Sequence, residues 1–329
     1  MASSTDLLYL SHADLESRCP DDASVMAAAR EGVMAHAAGN AIAQPTLGMQ
    51  LPDSTGGLFA IRGALIDAGL ISVKSIGSFP NNRAQDLAPD TGVMLLYDGN
   101  MRMPLAILAG SFITTTRTAA MTALAAITLA PPDASVLACI GGCGIAPLAA
   151  RMVRDALDIS EVRATSASQP SRDATATALS SSQTTVTAFK KVRDCIDGAD
   201  IVIDGPGLSK HGPLLPSDRL KAGVMVISYG PWSSFDDHIL DTVDRVTMDR
   251  WAEGTSGPLG PFIADGRFSK DHVDAWFGSM VSGDVPARAA NNESLLCWTR
   301  GLGVCDITLA QALIASARER GCGVSLPYP

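Results

Sequence analysis

Residues 136–150 read VLACIGGCGIAPLAA, and this stretch constrains the fold more than any other part of the chain. Five apolar residues predict a buried strand, Gly142 and Gly144 predict a tight turn, and the residues from 145 onward predict a helix. Glycines between a strand and a helix are typical of dinucleotide sites, where the backbone approaches a pyrophosphate at the helix N-terminus. Pro147 replaces the usual third glycine or alanine, but a missing N–H costs little in a first helical turn. An ordinary strand–helix turn is the alternative interpretation.

The pattern around this turn favours the nucleotide site. From Ser111 onward, strand and helix patterns alternate in units of the length expected for a parallel sheet covered by helices. The predicted helices are 112–130, 145–157, 171–181 and 190–197, and the predicted strands are 136–140, 161–165, 184–188, 201–203 and 224–228. The fold class is therefore α/β with a Rossmann-type parallel sheet. After Gly257 the pattern is irregular.

The first third of the chain has a different character. A strand and a helix capped near Ser11 are predicted within 8–16, and a second helix over 22–39. Short β-rich runs over 57–76 and a hairpin over 92–108, which turns at residues 98–100, predict a mixed and mainly antiparallel sheet. A final helix is expected over 306–319. With 329 residues, two domains are expected.

Composition narrows the class of protein. The net charge of −9 argues against nucleic acid or an anionic membrane as the main partner. The N-terminus lacks the features of a signal peptide, and apolar runs such as 119–130 are interpreted as buried helix, too short to span a membrane. Seven scattered cysteines indicate reduced thiols and a cytoplasmic location. Five scattered histidines without metal-binding spacing predict no metal site.

The residues after the second predicted strand bear on the choice of cofactor. An acidic residue there would bind the ribose 2′-hydroxyl of NAD. The sequence instead has hydroxyl side chains, Ser166 and Ser168, followed by Arg172. Hydroxyls with an arginine suit a 2′-phosphate, so NADP(H) is favoured and NAD(H) is the alternative. A merely solvated serine loop is the other interpretation.

Several segments resemble one known family. ITTTRTAAMTALAA (113–126) followed by ACIGGCGIA (138–146) is similar to the signature of the ornithine cyclodeaminase/mu-crystallin family. The opening LYLSHADLE and the glycine turn are most similar to its siderophore-pathway branch, which makes amino-carboxyethyl-glutamate. Three further segments extend the resemblance to nearly the whole chain: VKSIGSFPNN (73–82), TGVMLLYDGNMRMPLAI (91–107) and the C-terminal segment 282–321, which includes Gly301 and Asp306.

The resemblance implies a topology that composition cannot give. Residues 1–118 with 304–329 would form one substrate-binding domain, through which the protein forms a homodimer. Residues 119–303 would form the inserted Rossmann domain. The substrate, a small molecule bearing a carboxylate, would bind in the cleft against the nicotinamide.

The resemblance also assigns site residues. Lys74 matches the family's substrate lysine and Arg117 the arginine of its RTAA block, so both are expected to bind the substrate carboxylate and to act in catalysis. Thr46 replaces an arginine common in the family. Arg62 stands where methionine is usual and could supply the missing charge. The alternatives are a surface lysine, a structural ion pair of Arg117 and an edge-strand surface Arg62. Cofactor contacts are expected from Thr118, Gly142, Cys143, Gly144, Ile145, Ala146, Ser166, Ser168, Arg172 and Gly230.

A second departure concerns the chemistry. Family cyclodeaminases carry an acid/base aspartate where this chain has Trp232, which has no titratable proton for such work. The ornithine-cyclising reaction is therefore put in doubt, although Asp236 and Asp237 lie a few residues on. Trp232 is expected to line the substrate site and to exclude water.

These features together predict an enzyme of the oxidoreductase class. We expect an NAD(P)H-dependent reductase of a 2-imino or 2-oxo acid, either an imine reductase or an amino-acid dehydrogenase. A dicarboxylate such as iminosuccinate is attractive if Arg62 also faces the site. Two alternatives remain: a cyclodeaminase-like lyase or siderophore-type synthase with bound NAD, and a non-catalytic NADPH-binding protein resembling mu-crystallin.

Overall fold

The structure, a computed structural model, describes most of the chain: residues 6–52, 56–85, 87–142, 144–205, 215–229, 235–236, 238–251 and 260–328. The chain divides into two compact units. The first unit comprises Met1–Arg117 and Leu302–Pro329, and the second is Thr118–Gly301. The boundaries expected from the sequence, after residues 118 and 303, lie one and two residues later.

The described residues of the first unit form a mixed sheet and three complete α-helices, together with the start of the helix Gly110–Leu129. The sheet order is β16-β1-β7-β6-β5-β4-β2, with β3 also paired to β4, and only β1 and β7 run parallel. The helices are α1 (His12–Arg18), α2 (Asp22–Ala37) and α10 (Gly303–Glu319). The strands are β1 (Leu7–Leu10), β2 (Ala41–Ala43), β3 (Leu47–Gln50), β4 (Gly57–Leu65), β5 (Leu70–Ser78), β6 (Asp90–Asp98), β7 (Met103–Ala109) and β16 (Val324–Leu326).

Local signals explain why these elements begin and end where they do. Ser11 caps α1: its Oγ accepts from the Asp14 N–H at 3.2 Å, and the Asp14 carboxylate accepts from the Ser11 N–H at 2.9 Å. Asp98 makes the hairpin turn by accepting two backbone N–H groups, those of Asn100 and Met101. The predicted cap and hairpin are confirmed.

Strand alternation gives the sheet two different faces. Ile61, Lys74 and Met94 are aligned across β4, β5 and β6 and share the inner face. This face packs against α10 so closely that a Cβ on Gly63 would lie 2.8 Å from the carbonyl carbon of Gly303. The inner face therefore presents buried strand residues to one helix.

The outer face of the same sheet is apolar and exposed. Ile71, Val73, Val93 and Tyr97 lie on it, each more than a third exposed. Leu58 on β4 adds to the same surface. Contiguous exposed apolar surface is uncommon on monomeric proteins.

The second unit contains an all-parallel sheet of the order β10-β9-β8-β11-β12-β15-β13-β14. This is the arrangement of a Rossmann domain, and the predicted α/β fold class is confirmed. The strands are β8 (Val136–Ile140), β9 (Glu161–Thr165), β10 (Thr185–Phe189), β11 (Ile201–Asp204), β12 (Met225–Tyr229), β13 (Arg245–Met248), β14 (Ala275–Trp276) and β15 (Leu295–Thr299). The helices are α4 (Ile145–Ala156), α5 (Gln169–Leu179), α6 (Val192–Ile196), α7 (Ile239–Thr242), α8 (Gly260–Ala264) and α9 (Phe277–Ser282).

Two strands in the region after Gly257, which sequence reasoning left as irregular, complete this sheet. β15 inserts between β12 and β13, and all five of its residues are buried. A strand buried on both faces has no polar–apolar alternation, so its period carries no signal.

Helix α3 (Gly110–Leu129) crosses the boundary between the two units at residues 117 and 118. It is 20 residues long, and by length and composition alone it could cross a membrane, contrary to the expectation that the apolar runs are too short. However, 67% of its most apolar window is buried inside the protein, which is typical of a core helix.

Candidate active site

The first group of site residues centres on the amino group of Lys74. This side chain projects from the inner face of β5 and is fully buried. Its Nζ donates to Oδ1 of Asp306 on α10 at 2.6 Å. Because Asp306 is also buried, the pair is held away from water on both sides.

Arg117 brings a second cation to the same carboxylate. It lies on α3, and its Nε is 3.0 Å from Oδ1 of Asp306. The N–H is not aligned for a hydrogen bond, so the contact is an ion pair only. Oδ2 of Asp306 is buried and accepts no hydrogen bond from the described residues. We call Lys74, Arg117 and Asp306 the cation pair site.

The charges of this site do not cancel. Two cations and one carboxylate leave one positive charge. Burial lowers the pKa of Lys74 to about 8, the Asp306 carboxylate opposes that effect, and the Arg117 guanidinium adds to it. A buried site with a surplus positive charge attracts an anion, and a guanidinium beside an ammonium suits a carboxylate.

The structure does not bring Arg62 to the cation pair site. Arg62 is paired with Val73 and therefore lies on the outer face of the sheet, opposite to Lys74. Its terminal Nη2 donates to the carbonyl of Pro45 at 3.4 Å. The guanidinium thus lies beside the backbone next to Thr46, which is exposed and follows β2. Arg62 Nε is buried without a hydrogen-bond partner among the described residues.

The second group of residues forms the glycine turn of the Rossmann unit. Gly144 is the N-cap of α4, with φ of 64°, and no side chain caps this helix end. Its first N–H groups are therefore available to an anion. Ile145 and Ala146 open the helix, and Pro147 lies in its first turn as predicted.

The turn lies where the strand order reverses. β9 and β10 lie on one side of β8, and β11 lies on the other. Gly141 has φ of 119°, and a Cβ there would lie 2.2 Å from the Gly205 carbonyl oxygen. Such switch points at the carboxyl ends of parallel strands are where α/β sheets bind ligands.

The turn passes close to the start of α5. A Cβ on Gly142 would lie 2.1 Å from Ser171 Oγ and 2.7 Å from Ser166 Cβ. Ser168 caps α5, and Arg172 folds back so that Nη1 donates to the Ser166 carbonyl at 2.9 Å. This cradle, with an uncapped helix end and a guanidinium beside two serines, fits a dinucleotide phosphate chain.

The remaining candidate residues make hydrogen bonds of their own or lie outside the described residues. Thr118 is buried on α3, and its carbonyl accepts from Thr122 Oγ1 at 2.8 Å. Asp236 accepts hydrogen bonds from Ser217 and from the His238 N–H, so both of its oxygens are engaged within its own unit. Four candidates lie outside the described residues: Cys143, Gly230, Trp232 and Asp237.

Two further observations complete the description of the site. Within the described part of the chain, no group of three or more His, Cys, Asp or Glu side chains could bind a metal ion. The family resemblance includes Asp306 in the C-terminal segment 282–321 but does not assign it to the site. The available signal was a single charged residue, Asp306, in the otherwise uncharged first three turns of α10.

The sequence matches a known family model over residues 9–321, nearly its whole length. The model is that of the ornithine cyclodeaminase/mu-crystallin family. The chain belongs to this family. The expected resemblance is therefore confirmed.

Curated relatives from bacteria are similar to the chain at low identity. N-((2S)-2-amino-2-carboxyethyl)-L-glutamate dehydrogenase of Staphylococcus aureus is 24% identical, with 98% of each chain covered. Delta(1)-pyrroline-2-carboxylate reductase of Bacillus cereus is 25% identical, with 78% of this chain and 81% of the relative covered. Iminosuccinate reductase of Paracoccus denitrificans is also 25% identical, over 80% and 82%.

Solved structures share the fold. An archaeal alanine dehydrogenase dimer with bound NAD superimposes with a TM-score of 0.89 at 21% identity, covering 98% of this chain and 100% of the other. Delta(1)-pyrroline-2-carboxylate reductase of Thermococcus litoralis, in complex with NADH and L-proline, gives a TM-score of 0.85 at 22% identity, covering 97% and 99%.

Proposed function

We propose that this protein is an NAD(P)(H)-dependent oxidoreductase that reduces a C=N bond next to a carboxylate, a 2-imino acid, to the corresponding amine. The observation that carries the proposal is the convergence of two cations, the fully buried Lys74 and the partly buried Arg117, on a single carboxylate. The surplus positive charge matches one substrate carboxylate.

The family members similar to this chain support the reaction class. Three curated relatives are named for a pyrroline carboxylate, an iminosuccinate and a secondary amine of glutamate. All three names describe chemistry at a carbon–nitrogen bond beside a carboxylate. The S. aureus relative is a dehydrogenase by name, which agrees with an oxidoreductase rather than with a synthase.

The chain's own residues divide the work. Lys74 and Arg117 would bind and orient the substrate carboxylate, and Lys74 would hold a proton for the substrate nitrogen. Gly142, Gly144 and the start of α4 would hold the cofactor pyrophosphate. The reduced nicotinamide supplies a hydride when it is bound.

For the cofactor we propose a preference for NADP(H). Arg172 is anchored by the Ser166 carbonyl, beside the position where an acidic residue would be required for NAD. Arg172→Ala should raise the Kd of NADPH at least about tenfold, the loss expected for a charge-assisted contact. The Kd of NADH should stay within about twofold. Equal losses for both cofactors would remove Arg172 from this role.

For the substrate we propose an imino acid whose single carboxylate is bound by Lys74 and Arg117. Arg62 is paired with Val73 across β4 and β5, so it lies on the face of the sheet opposite to Lys74. A second acidic group of a substrate held by Lys74 would therefore not reach the Arg62 guanidinium. Arg62→Met should leave the kcat/KM for iminosuccinate, relative to that for a monocarboxylate imine, unchanged, and a fall of about tenfold or more would return Arg62 to the site.

We also propose a homodimer formed through the outer face of the first unit. The exposed apolar residues on this face support it, as does the dimer named for the archaeal alanine dehydrogenase. Val73→Asp should yield monomers in analytical ultracentrifugation. Ile66→Asp, at a more exposed apolar residue outside the strands, should leave the dimer intact. Dimers of Val73→Asp would contradict this interface.

A cytoplasmic location is part of the same proposal. The six cysteines among the described residues are all free. Free thiols are typical of a reducing compartment. Fractionation of the native cells should recover the protein with cytoplasmic enzymes, and recovery from a membrane or secreted fraction would contradict the proposal.

A substrate panel tests the reaction itself. NADPH and NADH are each offered with pyrroline-2-carboxylate, iminosuccinate and pyruvate plus ammonia, and absorbance follows the nicotinamide. We expect the amount of reduced nicotinamide consumed to equal the amount of amine formed. Cofactor that copurifies and is not consumed, with release of ammonia from ornithine, would favour the lyase. Cofactor binding without any turnover would favour the mu-crystallin-like binder.

A further inference from the structure

We propose that Asp306 is a positioning residue for this reaction: it holds Lys74 and Arg117 together and keeps Lys74 protonated as the donor to the substrate nitrogen. This inference rests on the proposed function. It assigns a role to a residue that sequence reasoning left outside the site.

The contacts of Asp306 carry the argument. Oδ1 accepts a hydrogen bond of 2.6 Å from Lys74 Nζ and also lies 3.0 Å from Arg117 Nε. One oxygen atom therefore sets the separation between the two cations. The other oxygen, Oδ2, is buried and has no partner among the described residues. A purely structural carboxylate would be saturated by hydrogen bonds, as buried polar groups normally are.

Because the pair is buried, the protonation state of Lys74 depends on Asp306. Lys74 is fully buried and Asp306 is 1% exposed, so water cannot stabilise the ammonium ion. Without Asp306, the desolvation cost and the neighbouring guanidinium would both favour a neutral amine. With Asp306, the ammonium persists at neutral pH. When Lys74 gives up its proton, Arg117 remains as the counter-ion of Asp306, so the carboxylate is never left alone.

The groups around Lys74 are few, which makes the effect of Asp306 separable. From α10 come Asp306 and the weakly acting thiol of Cys305, and from α3 comes Arg117. The strand neighbours aligned with Lys74 are Ile61 and Met94, which carry no charge. Asp306 is thus the carboxylate in contact with Lys74 among the described residues.

The step balances in atoms and charge. A reduced nicotinamide, bound through Gly142, Gly144 and the start of α4, would supply a hydride to the imine carbon, and the carbon–nitrogen π electrons would become a lone pair on nitrogen. One N–H bond of the Lys74 ammonium breaks, and one N–H bond forms on the substrate nitrogen. Lys74 ends as a neutral amine, and it regains a proton from solvent after the product leaves. Asp306 and Arg117 keep their charges throughout.

Two readouts test the role of Asp306, and one of them does not depend on turnover. The chain has six lysines, so the 13Cε signals of labelled lysine can be resolved by NMR, and the signal missing from Lys74→Arg assigns Lys74. Asp306→Asn keeps the shape and removes the charge. It should lower the titration midpoint of Lys74 by about one pH unit or more. The alkaline limb of the kcat profile should move down by the same amount. Asp306→Glu keeps the charge, so the alkaline limb of its kcat profile should lie close to that of the wild type.

The matched control is Asp200→Asn, which removes a buried carboxylate that pairs with a different lysine, Lys221. It should move neither the Lys74 titration nor the kcat profile. If the wild type is active and Asp306→Asn has the same Lys74 titration midpoint and the same alkaline limb as the wild type, the positioning role is overturned. The proposed function then stays intact. If Asp306→Asn does not fold, an Asp306→Glu variant that loses the wild-type limb also overturns it. A wild type that titrates Lys74 as expected but reduces no imine overturns the proposed function and, with it, the donor role.

Discussion

Two lysine–aspartate pairs of this protein differ in what surrounds the carboxylate. In the second unit, Asp200 accepts the backbone N–H groups of Ser135 at 2.9 Å and Val136 at 2.8 Å, and also pairs with Lys221. In the first unit, no backbone N–H of the described residues donates to the Asp306 carboxylate, which faces two cations.

The lysines differ as well. The Lys221 side chain is 40% exposed, whereas that of Lys74 is 0% exposed. Burial opposes ionisation of Asp200, but Lys221 and the two N–H groups outweigh it and lower the pKa of Asp200. At Lys74 burial prevails and lowers the pKa. The carboxylate of Asp200, which is saturated by hydrogen bonds, fits a structural role, whereas we propose that the unsaturated Asp306 and the surplus positive charge beside it serve ligand binding.

The largest expected effect comes from removing each lysine. Lys74→Met should lower kcat about 10³-fold, because a proton donor and a carboxylate contact are lost. Its thermal midpoint should fall, because the buried Asp306 carboxylate loses the hydrogen bond from Lys74 and keeps only the ion pair with Arg117. Lys221→Met should leave kcat unchanged. Steady-state kinetics and thermal unfolding of both variants measure the difference between the two lysines. A Lys74→Met variant with wild-type kcat would contradict this difference.

The next effect concerns the second cation. Arg117→Gln should raise KM for the imino acid by about 10- to 100-fold, the loss of a charge-assisted hydrogen bond of roughly 1.5–3 kcal/mol. The Kd of the cofactor should not change. Arg163→Gln, which removes a partly exposed ion pair with Glu161, serves as the control and should leave KM unchanged. A loss of cofactor binding in Arg117→Gln would assign this residue to another role.

A moderate effect is expected at the glycine turn. Gly142→Ala places a methyl group against Ser171 and Ser166, so the turn must shift and the cofactor Kd should rise about tenfold, or about 1.4 kcal/mol. Gly198→Ala is the control: its φ of 73° strains alanine, but nothing lies within 4 Å of the added methyl group. It should lower stability by about 1 kcal/mol and leave cofactor binding unchanged. Isothermal titration calorimetry and denaturation distinguish the two, and normal cofactor binding by Gly142→Ala would contradict the assigned cradle.

The smallest effect is the pH dependence of the structural pair. Because the folded state lowers the pKa of Asp200, this carboxylate stabilises the fold above its ordinary pKa near 4. The contribution disappears as the pH falls through the lowered value. Asp200→Asn should therefore cost about 1 kcal/mol at pH 7 and nothing at a pH below the folded pKa. Urea unfolding at several pH values measures the difference, and a pH-independent loss would show that the charge is not involved.

Sequence reasoning succeeded where the signal is local. The cap at Ser11, the hairpin at Asp98 and the first five strands of the Rossmann sheet follow from neighbouring residues. β15 was missed because it has no alternation. Asp306 was left out of the site because its meaning depends on Lys74, 232 positions away in sequence. The face of the sheet on which Arg62 lies depends on the register between β4 and β5, which composition does not reveal.

The central claim is that the surplus positive charge of the cation pair site binds the substrate carboxylate. The most direct measurement compares kcat/KM for pyrroline-2-carboxylate with that for its methyl ester, in the wild type and in Lys74→Met. We expect the kcat/KM of the wild type to be about 100-fold or more higher for the acid than for the ester, because the acid makes two charge-assisted contacts. This ratio should fall at least tenfold in Lys74→Met. Equal rates for acid and ester in the wild type would contradict the account.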